Sequence, residues 1–178
     1  MEAKEHIKQT MRIIEGFPAE GISYKDITPI LQDPQVFHET VDALAKALEE
    51  QEFDYILGVE ARGFIVGAAV AYTLHKGFLM ARKPGKLPGN LIKQSYSLEY
   101  GEAAVEMDRD TLREGDRVVV MDDLLATGGT AEAACKLVEK AGGKVATTLF
   151  LTELTEVGGR KKLEAEGYPV ISLLQWSH

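Results

Sequence analysis

The stretch VVVMDDLLATGGTAEAA, residues 118–134, sets two adjacent carboxylates between an apolar run and a Thr-Gly-Gly-Thr turn. Val118, Val119 and Val120 read as a strand buried on both faces, with Asp122 and Asp123 at its tip. Gly128 and Gly129 let the chain turn tightly into a helix, predicted from about Thr130 to Ala141. Backbone N–H groups of Ala126, Thr127, Gly128, Gly129 and Thr130, backed by the helix dipole, would cradle a phosphate monoester, with the two threonine hydroxyls as further donors. Carboxylates beside a phosphate repel it unless they serve something else. Vicinal hydroxyls of a sugar, or a magnesium ion held partly by the substrate, would resolve that conflict. The string therefore asks for a phosphorylated ribose. It is not a Walker loop, because no lysine follows the glycines. Taken singly, a Gly-Gly turn is often a plain helix entry and paired aspartates are often just solvated.

Such a loop needs a sheet to hold it, and the bulk properties allow one. A chain of 178 residues, 45% hydrophobic, is expected to form one domain over residues 1–178. It would bury roughly 70% of the surface its unfolded form exposes. Lys and Arg number 20 against 28 Asp and Glu, and the formal net charge of −8 argues against a general nucleic-acid binder. A local basic cluster could still hold a small anion. The single cysteine, Cys135, can form no intramolecular disulfide and reads as a small core residue, which fits a reducing compartment. No run approaches the ~18 apolar residues of a membrane span, and MEAKEHIKQTMRIIE lacks the apolar core of a signal peptide. The expectation is a soluble cytoplasmic protein.

Helix and strand patterns alternate along the chain without repeats or linkers. In DPQVFHETVDALAKALEE, Phe37, Val41, Leu44 and Leu48 draw one apolar stripe, with Asp33 as cap. YILGV is a buried strand and RGFIVGAAVAYTLHK a tightly packed helix; GFLMAR is the next strand. QSYSLEY and AAVEMD, separated by Gly-Glu, predict a hairpin or flap. DRVVVMDD, KVATTLFLTE and YPVISLLQ complete an α/β fold, a mostly parallel central sheet flanked by helices. Ligands then bind at the carboxyl ends of its strands.

The thirteen residues VVVMDDLLATGGT resemble the phosphoribosyl-pyrophosphate signature of the type I phosphoribosyltransferases, in its adenine-specific form. FPAEGISYKDITPIL, EARGFIVG, RKPGKLPGN with YSLEYG, and LTELTEVGGRKKL resemble that family in the same order, so the likeness runs from about Phe17 to Gln175. It implies a small N-terminal hood, a β-flap, and transfer of the phosphoribosyl group to adenine, giving AMP and pyrophosphate. Glu60, Ala61 and Arg62 would grip the pyrophosphate, with a non-proline cis peptide beside the arginine. Arg62 suits this because its planar fork offers several donors. Arg82, Lys83 and Lys86 would form a cationic clamp reaching toward a neighbouring subunit, which implies a homodimer. On the flap, beside Tyr100, the resemblance assigns general acid/base work to Glu99; the residues alone do not separate it from Glu102 or Glu106. Tyr24 would stack on adenine opposite Leu154, and backbone groups of Ser23 and Lys25 would read its edge. The family commonly has Phe and Arg at positions 24 and 25, which backbone reading tolerates.

His6, His38, His75 and His178 are too scattered for a metal cluster, so magnesium is expected to arrive on the substrate's oxygens. Two rival readings stay open: transfer to a 6-oxo purine, and a non-catalytic regulator that senses phosphoribosyl pyrophosphate. About sixteen residues precede FPAEG, too few for a helix-turn-helix domain, which weighs against the regulator.

Overall fold

The computed structural model describes residues 2–98 and 100–178. In chain order it contains α1 (Ala3–Thr10), β1 (Arg12–Glu15), β2 (Ser23–Asp26), α2 (Thr28–Gln32), α3 (Pro34–Ala47), β3 (Tyr55–Val59), α4 (Arg62–Thr73) and β4 (Gly77–Ala81). There follow β5 (Leu91–Leu98), β6 (Gly101–Asp108), β7 (Arg117–Leu125), α5 (Gly129–Lys140), β8 (Lys144–Leu154), α6 (Gly159–Ala165) and β9 (Val170–Trp176). Five strands form one parallel sheet in the order β4-β3-β7-β8-β9. The direction of progress reverses between β3 and β7, which opens a crevice beyond their carboxyl ends, where open α/β sheets take ligands.

The apolar runs dictate this sheet because each must be covered on both faces. Along β7, Val119 and Met121 join a core with Leu44, Val66 and Val70 under α3 and α4, while Val118 and Val120 join a second with Ala134, Leu137 and Val138 of α5. Cys135 is fully buried in that second core. Burial pushes its thiol pKa far up, so it behaves as a small apolar group. The α3 stripe buries Val41, Leu44 and Leu48 as predicted but extends to Val36 and Thr40, leaving Phe37 only half-buried. A threonine can hold a core position here because its hydroxyl donates to the Val36 carbonyl at 2.7 Å.

Two antiparallel ribbons flank the crevice. β1 pairs with β2 to form the hood, and β5 pairs with β6 from Leu91↔Asp108 to Leu98↔Gly101. Gly101 and Glu102, expected to separate the hairpin strands, belong to the second one, whose period of two runs inward through Val105 and Met107. β7 likewise continues past Asp122 and Asp123 to Leu125, because Leu124 and Leu125 still pair with Thr152 and Glu153 of β8. The carboxylates therefore stand on the strand itself and not at its tip. Among the described residues, no helix is long and apolar enough to cross a membrane.

Asp33 caps α3 as its sequence position suggests, accepting from the Gln35 and Val36 N–H groups at 2.9 and 3.1 Å. Asp33→Ala should lower stability by about 1 kcal/mol. The urea midpoint should fall with an unchanged slope; an unmoved midpoint would mean the cap is dispensable.

Candidate active site

The crevice is built from the loops that follow β3 and β7. Arg62 and residues Asp122 to Ala131 line one cavity of about 190 Å³. Gly128 adopts a left-handed φ of +87° as N-cap of α5, with no side-chain cap hydrogen bond. The helix thus presents its first N–H groups to the cavity without a carboxylate or hydroxyl of its own on them. Thr127 is exposed and Thr130 half-buried beside them. Tyr96 of β5 packs over Gly129, at 3.4 Å from where a Cβ would stand, so the hairpin borders the same loop.

Alternation along β7 turns Asp123 to the face covered by α4, where Arg62 begins the helix. Arg62 Nε lies 3.0 Å from Asp123 Oδ2, and the Asp123 N–H donates to Asp122 Oδ1 at 2.8 Å. Burial, then the neighbouring negative charge of Asp123, push the Asp122 carboxyl well above the usual aspartate range; Arg62 offsets only part of this. The peptide bond Glu60-Ala61 is cis, as the resemblance implied, and delivers the chain from β3 into α4.

Arg62 also reaches the hood. Its Nη1 donates to the Tyr24 hydroxyl, and its guanidinium lies 5.4 Å from the centre of the Tyr24 ring. Phe17 meets the same ring edge-on at 5.2 Å. The Lys25 side chain donates to Ser23 Oγ at 2.8 Å and lies 5.1 Å from the Trp176 ring centre; burial lowers its pKa. Lys25 Nζ thus lies beside Trp176, which pairs with Leu154, while Tyr24 offers a ring face and a hydroxyl.

The remaining candidates are less tightly gathered. Arg82 Nε donates to Glu60 Oε1 at 2.6 Å, and its backbone bridges Glu106 of β6, which brings it to the same sheet edge as Arg62. Lys83 lines a separate cleft of about 420 Å³ with Lys93, Tyr96 and Glu102 of the hairpin. Lys86 is exposed on its loop, and Tyr100 is 91% exposed. Leu154, half-buried, ends β8 opposite Trp176. Ala61 is exposed at the entry to α4. Glu99 lies outside the described residues. Sequence reading passed over the Tyr24 hydroxyl contact with Arg62, which no spacing rule reveals. It also passed over Glu153 and Arg160, although a Gly-Gly-Arg run after a strand end was a signal of the same kind as the Gly-Gly turn of residues 128–129.

The phosphoribosyl transferase domain family matches residues 26–173 of this chain. A protein of Thermoanaerobacter sp. (strain X514) named adenine phosphoribosyltransferase is 53% identical over 172 residues, covering 97% of this chain and 98% of its own. The crystal structure of adenine phosphoribosyltransferase from Thermoanaerobacter pseudethanolicus ATCC 33223 superposes with a TM-score of 0.94 at 52% identity, covering 97% of this chain and 99% of that one. That of Saccharomyces cerevisiae, complexed with D-2,5-dideoxy-2,5-imino-altritol 1,6-bisphosphate and adenine, superposes at 0.91 with 38% identity over 97% and 98%.

The proton affinity of Asp122 has a measurable consequence. Its folded-state pKa is raised, so the folded state binds the proton more tightly than the unfolded chain, and stability falls as pH rises above the ordinary value of 3.8. Asp122→Asn should therefore raise the melting temperature at pH 7, with the gain shrinking toward pH 4. A variant less stable than wild type at pH 7 would show that the carboxylate is held ionised at no cost.

Proposed function

The chain belongs to the phosphoribosyl transferase family, and within it to the adenine phosphoribosyltransferases; on that premise we propose how the crevice above β3 and β7 performs the transfer. The reaction joins adenine to phosphoribosyl pyrophosphate and releases AMP and pyrophosphate, a purine-salvage step. The observation that carries the assignment of roles is the continuous path Tyr24–Arg62–Asp123, which ties hood, pyrophosphate loop and ribose carboxylates around one cavity.

The 5′-phosphate sits on the N–H groups of Ala126, Thr127, Gly128, Gly129 and Thr130, at the uncapped end of α5. Asp122 and Asp123 accept from the ribose hydroxyls, the conflict-free use of carboxylates beside a phosphate. Arg62, with the backbone of Glu60 and Ala61, takes the pyrophosphate, and Arg82 joins it by exchanging its bond to Glu60 for a phosphate oxygen. Lys83 and Lys86 add cationic charge from their loop. Among the described residues, no three His, Cys, Asp or Glu are grouped to hold a metal ion. Magnesium would arrive on the substrate and would offset charge on the leaving group.

As the bond from ribose C1 to the pyrophosphate oxygen breaks, positive charge develops on the sugar, and the attacking adenine nitrogen forms the new bond. That nitrogen sheds its proton to Glu99, whose chain neighbours Leu98 and Tyr100 are exposed on the hairpin. The adenine ring stacks between Tyr24 and Leu154, with its edge read by backbone groups of Ser23 and Lys25. A second copy of the chain covers the outer face of α4 and the sheet edge, where Ile65, Tyr72 and Met80 are 47%, 86% and 45% exposed. A cytoplasmic setting suits the free thiol of Cys135.

Adenine, hypoxanthine, guanine and xanthine, each supplied alone with phosphoribosyl pyrophosphate and magnesium, test the base assignment. AMP from adenine alone is expected; product from a 6-oxo purine would discard the adenine slot, and binding without turnover would favour a non-catalytic sensor. Glu99→Gln should lower kcat by about 10²- to 10⁴-fold with little change in phosphoribosyl-pyrophosphate affinity. Near-normal turnover would remove Glu99 from the mechanism. Sedimentation at micromolar concentration should give a dimer, and monomer alone would contradict the partner face.

A further inference from the structure

The phosphate-cradling loop rests on α6 as well as leading into α5. Gly159, the first residue of α6, is buried against it. A Cβ there would lie 2.3 Å from the Ala126 carbonyl oxygen and 2.8 Å from Leu125 Cδ1, and one on Gly128 would lie 3.1 Å from the Gly159 carbonyl oxygen. Only glycine at position 159 admits that approach.

What fixes Gly159 is its chain neighbour. Arg160 forks onto Glu153, with Nε 2.9 Å from Oε1 and Nη2 2.7 Å from Oε2. Glu153 is 2% exposed near the end of β8. Arg160 also donates to the Val170 carbonyl at 3.0 Å and to Ser172 Oγ at 3.1 Å, both on β9. Ser172 Oγ donates in turn to Glu153 Oε2 at 2.5 Å. Lys162 of α6 lies 3.4 Å from Glu132 in the first turn of α5, which ties the two helices flanking the loop. The Arg160 hydrogen bond leads the interactions that hold the Glu153 carboxyl below the usual glutamate range, so the pair is ionised at neutral pH. A bidentate pair with its remaining donors and acceptors satisfied defines one geometry, whatever its net contribution to stability. The transfer chemistry makes no direct use of either side chain.

We propose that Gly159, Arg160 and Glu153 are positioning residues for the 5′-phosphate: the fork onto the buried Glu153 holds α6 where the Gly159 backbone sets the shape of residues 126–128. The inference rests on the reading of residues 126–130 as the phosphate loop. Arg160 and Glu153 bind no substrate atom; they act through the loop backbone, and an error of about 1 Å there is enough to matter.

The test compares wild type with Gly159→Ala, Arg160→Lys and Glu153→Gln, and with Lys161→Ala as a control on an exposed residue of the same helix. Titration with ribose 5-phosphate gives Kd, steady-state kinetics give KM for each substrate, and melting temperatures report folding. Gly159→Ala should raise Kd for ribose 5-phosphate and KM for phosphoribosyl pyrophosphate by about tenfold or more, leaving the KM for adenine nearly unchanged. Arg160→Lys keeps the charge but loses the fork, so it should shift the same constants by less; Lys161→Ala should shift none. If Gly159→Ala fails to fold, Arg160→Lys decides. Folded variants with wild-type Kd would overturn the inference. So would losses spread over both substrates that follow the melting temperature and disappear on cooling. Failure of the wild type itself to bind ribose 5-phosphate would overturn the phosphate-loop reading, and the buttress with it.

Discussion

The Arg62–Asp123 ion pair is the contact on which the crevice depends. It joins the start of α4, just after β3, to the neighbouring strand β7 across the point where the sheet's order reverses, at 3.0 Å with Asp123 buried. Parallel strands end in loops that project the same way but have no backbone ladder between them. A charged side-chain contact is one of the few ways to set their spacing. Because Asp123 is out of water, losing Arg62 would leave its carboxylate without a cationic partner. The pair thus specifies geometry more than it adds stability. Arg62 still has donors to offer a phosphate after serving Asp123 and Tyr24.

A chain of net charge −8 must nonetheless hold a ligand with several phosphate charges. In the binding mode proposed above it would do so with short-range elements. The α5 terminus contributes backbone dipoles that carry no formal charge. Arg62 and Arg82 sit at the same sheet edge, each on a carboxylate. In the proposed binding mode those carboxylates would hold the guanidinium groups in place until an arriving phosphate competes for their donors. Acidic surface elsewhere does not cancel this, because exposed charges more than about 8–10 Å away are largely screened at physiological salt.

The sheet and the site loop were legible because their signals are local and periodic. Val118 to Met121 could only be a doubly buried strand, and Gly128 and Gly129 could only be a tight entry to a helix. Thr40 escaped because polarity, read alone, hides a hydroxyl satisfied by its own helix. The end of β7 was misplaced because its last pairs, with Thr152 and Glu153, are made to a strand more than twenty residues away. The Tyr24–Arg62 contact was invisible for the same reason, since it joins elements that only the finished topology brings together, whereas the Glu153–Arg160 fork spans seven residues and was signalled by the Gly-Gly-Arg run. Residue roles such as that of Glu99 came from resemblance, since three glutamates of the hairpin are chemically equivalent in sequence.

The two antiparallel ribbons explain how a rigid sheet comes to hold a flat base. A two-stranded ribbon is marginal by itself and must be tied to the body. The hood is tied by Lys25 over the Trp176 ring at 5.1 Å, with Lys8 of α1 over the same ring at 4.6 Å, while Arg12 and Asp26, at 2.5 Å from Nη2, join its two strands to each other. The hairpin is tied by the backbone bridge between Arg82 and Glu106 and by its packing on α5. Those ties leave the outer ends of both ribbons with apolar side chains in solvent: Ile13, Phe17 and Ile22 on the hood, Leu98 and Tyr100 on the hairpin. Scattered exposure of single apolar residues is ordinary, but concentration on the two elements bordering one crevice is not. A purine has a wide apolar face and a polar edge. Apolar tips above a polar, anion-holding floor are the arrangement such a base linked to a phosphorylated sugar would need.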